Sequence, residues 1–266
     1  DVYDPFFGGR VRYRDADDLD PRDPSDDWME PYFRMEEAFY FAQVSAAYVG
    51  DFSQMGFTSP ILGGRYRFGV TPYIGTNSFV ALTGDYRRYI YFRPFTFALR
   101  GLHIGNYGAP ETSDSQIGQS LFHEYLGSPY YQGFVRGYSF SDIYEECSRN
   151  AANCFDTSRL IGSRIALASA ELRIPLLGYR ELALINFPYL PTEVSFFADA
   201  GLAWTGSERP VLDFSPDATG RAPVTSAGVS TRINVLGAIV VEMYYAYPFQ
   251  RPERGFDFGV QLIPGW

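Results

Sequence analysis

Hydrophobic and polar residues alternate along most of this chain with a period of two. Residues 65–74 read RYRFGVTPYI, with Arg65, Arg67, Gly69 and Thr71 on one face and Tyr66, Phe68, Val70 and Pro72 on the other. A helix would scatter these two sets, whereas a strand keeps them apart. Residues 194–204 repeat the pattern, with Val194, Phe196, Ala198, Ala200, Leu202 and Trp204 on an apolar face and Ser195, Asp199 and Gly201 on the other. Residues 239–247 set Ile239, Val241, Met243, Tyr245 and Tyr247 against Glu242, and Phe256, Phe258, Val260 and Leu262 alternate with Asp257, Gly259 and Gln261. Further strands are predicted at 36–50, 78–93, 95–107, 119–127, 161–175, 179–188 and 224–234. That makes eleven, with residues 6–13 a candidate twelfth.

Strand length separates two architectures. Many of these segments run roughly ten to fourteen residues, whereas strands of soluble sheets usually run about five or six. A tilted strand needs about 9–11 residues to cross a bilayer core. Aromatics gather near the predicted strand ends: Tyr89, Tyr91 and Phe92; Tyr244, Tyr245, Tyr247 and Phe249; Trp204; Trp266. A membrane barrel would use them as girdles at the headgroup level. A soluble barrel or sandwich with an aromatic core explains the alternation equally well but not the length. The predicted fold is therefore all-β, an antiparallel transmembrane β-barrel over residues 32–266. Residues 1–31 form an acidic loop or linker, or a first strand.

Composition sharpens this picture. The chain holds 21 Tyr, 23 Phe and 26 Gly against 2 His and 2 Cys, and all 22 of its basic residues are Arg. Aromatics suit strands, and Gly marks bulges and close backbone approaches. A net charge of −9 argues against a nucleic-acid partner, which needs clustered positive charge. No uninterrupted apolar run reaches the ~18 residues of a membrane helix. Residues 1–30 lack the basic start and apolar core of a signal peptide, which implies a cytosolic protein or a mature or trimmed chain.

Catalysis finds little support. His103 and His123 lie in different segments, and there is no HExxH, nucleophile elbow, P-loop or dinucleotide fingerprint. A soluble glycosidase could use two of the strand carboxylates (Asp85, Glu171, Asp199, Glu242, Asp257), but nothing singles out a pair; in a barrel they form the polar lumen face. No enzyme activity, cofactor or metal is expected. One weak cation candidate is the acidic run Asp15, Asp17, Asp18 and Asp20 within residues 15–27, which lacks the Gly and terminal Glu spacing of an EF-hand loop. Cys147 and Cys154 share one polar segment, SDIYEECSRNAANCFD. They read as a local disulfide formed in an oxidising compartment, with two free thiols as the alternative.

Residues 133–138 read GFVRGY, and Val135, Arg136, Gly137 and Tyr138 are followed by a strand carrying Glu171, Leu172, Arg173 and Pro175. FFADAG at 196–201, Tyr245-x-Tyr247-Pro248 and a last strand of alternating Phe come next in order. Over residues 133–263 this series resembles the barrel of BamA-type bacterial surface antigens, which mediate outer-membrane protein assembly and two-partner secretion. The resemblance implies a sixteen-stranded barrel in the bacterial outer membrane. It also implies an extracellular VRGY loop folded back into the lumen, its Arg contacting acidic wall residues. Asp199 is the first candidate partner for Arg136 and Glu171 the second, since alternation puts both on the polar face. It further implies upstream periplasmic modules, such as POTRA repeats, which this sequence does not contain, and a terminal Phe where it ends IPGW. A shortened relative or the C-terminal part of a longer protein fits these departures.

The expected function is non-enzymatic: protein insertion or translocation, or anchoring of a larger assembly. Outer-membrane lipid and other outer-membrane or periplasmic proteins are the expected partners. A small passive pore or structural barrel is one alternative. A soluble β-barrel binding protein or hydrolase is the other.

Overall fold

A computed structural model describes residues 2–4, 9–11, 40–109, 123–127, 134–149, 154–216, 218–237, 239–251 and 254–264. The acidic run 15–27 with its cation candidate lies outside the described residues, as do Gly133 and Trp266. The chain divides into two units, residues 1–40 with 112–121, and the remainder. In the first, β1 (Val2–Asp4) pairs antiparallel with β2 (Gly9–Val11).

The second unit is built on one large sheet. Its first rib is broken into β3 (Phe41–Gln43) and β4 (Ala46–Asp51), followed by the short β5 (Gln54–Met55). Long strands follow: β6 (Pro60–Gly75), β7 (Phe79–Phe92) and β8 (Phe95–Tyr107). A large insert then carries β9 (Glu124–Tyr125), helix α1 (Phe140–Arg149), a 3₁₀ turn (Thr157–Leu160) and β10 (Ile161–Gly162), which pairs with β9. The sheet resumes with β11 (Arg164–Gly178), the two-residue β12 (Ile185–Asn186), β13 (Thr192–Trp204), β14 (Val224–Val235), β15 (Ile239–Pro248) and β16 (Asp257–Pro264). The spatial order runs β16, β15, β14, β13, β11, β8, β7, β6 and then β3 and β4, every long neighbour antiparallel. Consecutive long strands are therefore neighbours, as hairpin connections dictate.

Two features differ from the sequence expectation. Nine ribs cross the sheet, not eleven or twelve, and β16 and the broken first rib do not pair among the described residues, so the sheet is open there. Residues 179–188 are not a crossing strand. β11 pairs directly with β13, leaving 179–191 as their connection, with turn bonds from the Leu182 and Ala183 amides to the Tyr179 carbonyl and Pro188 and Pro191 unable to donate to a ladder. Of the predicted strand at 119–127, only Glu124 and Tyr125 are extended among the described residues.

The period of two has a physical counterpart in burial. On the outward face Phe68 is 50%, Phe196 55% and Phe258 61% exposed, while on the inward face Asp199 is 4%, Glu242 1% and Asp257 1% exposed. Tyr89 and Tyr244, read from the sequence as girdle residues, instead face inward and are buried. Strands of 13–16 residues such as β6, β7 and β13 extend about 43–53 Å at ~3.3 Å per residue. That exceeds the ~30 Å hydrocarbon core of a bilayer. No helix among the described residues is long and apolar enough to cross a membrane.

Residues 140–149, read from the sequence as a polar loop, form α1. Ser139 precedes it and its carbonyl accepts the Ile143 amide at 3.0 Å, while Asp142 in the first turn suits the positive end of the helix dipole. Cys147 on this helix is joined to Cys154 by a disulfide. Thiol labelling of the denatured, unreduced protein is expected to find no free thiol. Reduction is expected to destabilise the insert by about 2–3 kcal/mol, through the loop entropy restored to the unfolded chain; stoichiometric labelling would contradict the bridge.

Candidate functional site

Val135, Arg136, Gly137 and Tyr138 form one tight turn. The Tyr138 amide donates to the Val135 carbonyl at 3.2 Å, and Gly137 sits at φ +88°. This is the type II pattern, whose third residue needs a positive φ that glycine adopts without strain. The turn is stitched to the rest of the insert: the Val135 amide donates to the Leu126 carbonyl at 3.0 Å and the Phe140 amide to that of Gly127 at 2.9 Å.

The insert lies on the inner face of the sheet. Leu126, Val135, Tyr138, Ile143 and Leu160 pack on Leu102, Ile165, Leu167, Ala203 and Val224 of the wall. Gly201 on β13 makes room: a Cβ there would come within 2.5 Å of the Val135 side chain. Each fully buried side chain of this kind contributes about 1.5–3 kcal/mol, so the docking has a substantial apolar base.

Arg136 projects from the turn into the wall. Its Nε donates to Asp199 Oδ2 at 2.7 Å and its Nη2 to Asp199 Oδ1 at 2.9 Å, a bidentate fork. Nη2 also lies 2.9 Å from Glu171 Oε1, and Nη1 donates to Glu242 Oε1 at 3.1 Å. The guanidinium covers the Phe197 ring with its carbon 3.6 Å from the centroid. Three strands, β11, β13 and β15, thus converge on one side chain. Burial opposes its charge, but Asp199, Glu171 and Glu242 outweigh that penalty and raise its pKa above the ordinary arginine value.

The network extends beyond the residues nominated from sequence. Glu171 also accepts from Arg173 Nε at 2.8 Å and from both terminal nitrogens of Arg232, at 3.0 and 2.9 Å. Arg232 reaches Glu242 at 3.1 Å and Glu193 at 3.3 Å. Ser169 Oγ donates to Asp199 at 2.6 Å and Gln261 Nε2 to Glu242 at 2.8 Å. The sequence alone does not single out Glu242, Arg173 and Arg232 as partners. Their strand parity places them inward, but only the cross-strand register, Arg232 opposite Glu242 and Glu193, brings them together.

The far side of the turn is held as well. The Tyr138 hydroxyl donates to Gln250 Oε1 at 2.7 Å and accepts from the Gln250 amide at 3.1 Å. Arg251 Nη1 donates to the Gly137 carbonyl at 2.7 Å and its other terminal nitrogen pairs with Glu146 of α1. His103 plays no part here. Its ring bonds the Ile165 carbonyl and the Tyr107 hydroxyl, both at 2.8 Å, and stacks on Trp204. Among the described residues no group of three or more His, Cys, Asp or Glu is placed to hold a metal ion.

Arg136→Ala is expected to cost about 3–5 kcal/mol, the penalty for stranding buried carboxylates. Asp199→Ala is expected to cost a similar amount. Unfolding of the single and double variants should show the double little worse than either single one, since each already breaks the shared pair; additive losses would contradict the coupling. Burial pushes the Tyr138 phenol up to about 12 from its ordinary 10.0. The folded state therefore favours the neutral phenol, and that contribution, complete below pH 10, is lost as pH rises from 10 to about 12. Tyr138→Phe should remove this alkaline component from a stability-against-pH curve.

A family model described as the Omp85 superfamily domain matches residues 54–261, which spans β5 to β16 and includes the insert and every member of the Arg136 network. No curated protein and no solved structure matches the chain. Omp85 proteins are bacterial outer-membrane transporters and insertases built on β-barrels, and they work with other outer-membrane and periplasmic proteins. The chain belongs to the Omp85 superfamily.

Proposed function

We propose that this chain forms the wall of an outer-membrane β-barrel that inserts or translocates proteins, or anchors a larger assembly, with residues 134–149 and 154–160 part of an extracellular insert fixed against the lumen side. The observation that supports this best is the inversion of the sheet. Large apolar residues such as Phe196 and Phe258 are exposed on one face, and ion-paired carboxylates are buried on the other. In water that arrangement leaves a broad apolar face unprotected; in a bilayer it matches lipid outside and a polar lumen within.

The insert then has a mechanical meaning. Ordering a loop costs roughly 1–2 kcal/mol per residue, and an exposed ion pair at about 0–1 kcal/mol would not hold it. A guanidinium shared by three buried carboxylates and seated on an aromatic ring can, together with the apolar base. In this reading Arg136 fixes the relative positions of β11, β13 and β15 and keeps the insert over the lumen side, while the outward face meets lipid. No catalytic group is assigned.

Two measurements test the reading. Spin labels at positions 194, 196, 198, 200 and 202 in liposome-reconstituted protein should be accessible to oxygen dissolved in lipid, and labels at 195 and 203 should not. Loss of this two-residue rhythm would contradict the lipid-facing assignment. Reconstituted protein should also accelerate the insertion of an unfolded outer-membrane barrel protein over empty liposomes, and Arg136→Ala should reduce that rate. An unchanged rate with wild-type protein would leave a passive or anchoring barrel and remove the insertion role.

A further inference from the structure

The inner face carries a second charged group that the Arg136 network does not use. Arg65 on β6, Arg87 on β7 and Arg100 on β8 stand directly opposite one another in the cross-strand register. Like charges in that position destabilise a sheet. Arg67, two residues along β6 on the same face, is exposed and makes no ion pair among the described residues.

Local carboxylates offset only part of this charge. Asp85 takes Arg87 through Nε at 3.1 Å and Nη2 at 2.7 Å, and Arg100 through Nε at 3.3 Å and Nη2 at 3.0 Å. One carboxylate thus sits between two guanidiniums and leaves one positive charge over. Arg65 is 3.9 Å from Asp51, both about half exposed, and Asp51 is already bonded to the Ser53 amide at 3.0 Å and its hydroxyl at 2.6 Å. Such a pair is loose and screened by solvent.

Arg65, Arg87 and Arg100 line one part of a cavity of about 350 Å³, and the other arginines that line it, Arg136, Arg173 and Arg232, are paired with Glu171, Asp199 and Glu242. In a chain with a net charge of −9, positive charge is concentrated on this surface. Where a concave surface carries an excess of one sign of charge, as at Arg65, Arg87 and Arg100, it gathers ions of the other. The row of three arginines spans about 10 Å across three strands, so a single small anion meets one or two of them and a multivalent one meets all. Guanidinium forks match carboxylate and phosphate oxygens.

We propose that Arg65, Arg67, Arg87 and Arg100 form a binding strip for multivalent oxyanions, a run of phosphates or carboxylates laid across β6, β7 and β8. The strip needs one face of the sheet and not a closed barrel, so it stands independently of the membrane reading. Calorimetric titration of the full chain in detergent at low ionic strength tests it, with inorganic tripolyphosphate in one arm and hexaglutamate in the other to separate the two oxyanion sources. At least one should bind. Arg65→Gln combined with Arg67→Gln removes two exposed charges, one of them directly opposite Asp85 in the register, while keeping both guanidiniums bonded to Asp85, and should weaken binding about tenfold, near threefold per charge at ~6 Å in a high dielectric. Asp85→Asn removes the counter-charge and frees two guanidiniums, and should tighten binding by about threefold. Binding of neither anion, binding unaffected by the double arginine variant, or weaker binding in a folded Asp85→Asn protein would overturn the proposal.

Discussion

A guanidinium removed from water must find its hydrogen bonds and its counter-charge in the protein, and in this chain Arg136 finds both on the wall of the sheet. Its side chain is nearly fully buried, forks onto Asp199 and touches Glu171 and Glu242. The remaining geometry of the site follows from that requirement. The turn needs Gly137 at positive φ to aim the side chain, β13 needs Gly201 so that Val135 can approach, and Arg232 and Arg173 balance the carboxylates that Arg136 does not satisfy alone. Mutual dependence of this kind makes the network rigid, because each buried charge left unpaired costs several kcal/mol.

The same sheet has two faces with opposite chemistry, and the period of two is what assigns them. One-residue slippage would send Asp199 and Glu242 outward and Phe196 and Tyr245 inward, so the register is strongly specified. That is why so much of the fold is legible in the sequence: residues 65–74, 194–204 and 239–247 each state both their conformation and their facing. The Arg136 and Asp199 positions were readable for two separate reasons, the VRGY resemblance for one and strand parity for the other.

What the sequence hides is mostly pairing in three dimensions. Glu242, Arg232 and Arg173 belong to the network through cross-strand register, which no single strand encodes. Residues 179–188 look apolar enough for a strand, yet the direct pairing of β11 with β13 makes them a connection. The helix at Phe140–Arg149 carried a signal in the spacing of Phe140, Ile143 and Cys147, three and then four residues apart. Its charged residues and the nearby cysteines give the same stretch the composition of a loop. The sheet, open among the described residues, exposes an apolar face, and the chain belongs to the Omp85 superfamily, whose members are outer-membrane proteins.

Arg136 joins the insert to the wall of the sheet through Asp199, Glu171 and Glu242. Hydrogen–deuterium exchange at the Val135, Tyr138 and Phe140 amides measures this attachment directly, since these three bond within the insert and turn. In the wild type they should exchange as slowly as amides of β11 and β13. In Arg136→Ala they should become fast while the strand amides stay protected. Fast exchange in the wild type, or equal protection with and without the guanidinium, would contradict the account.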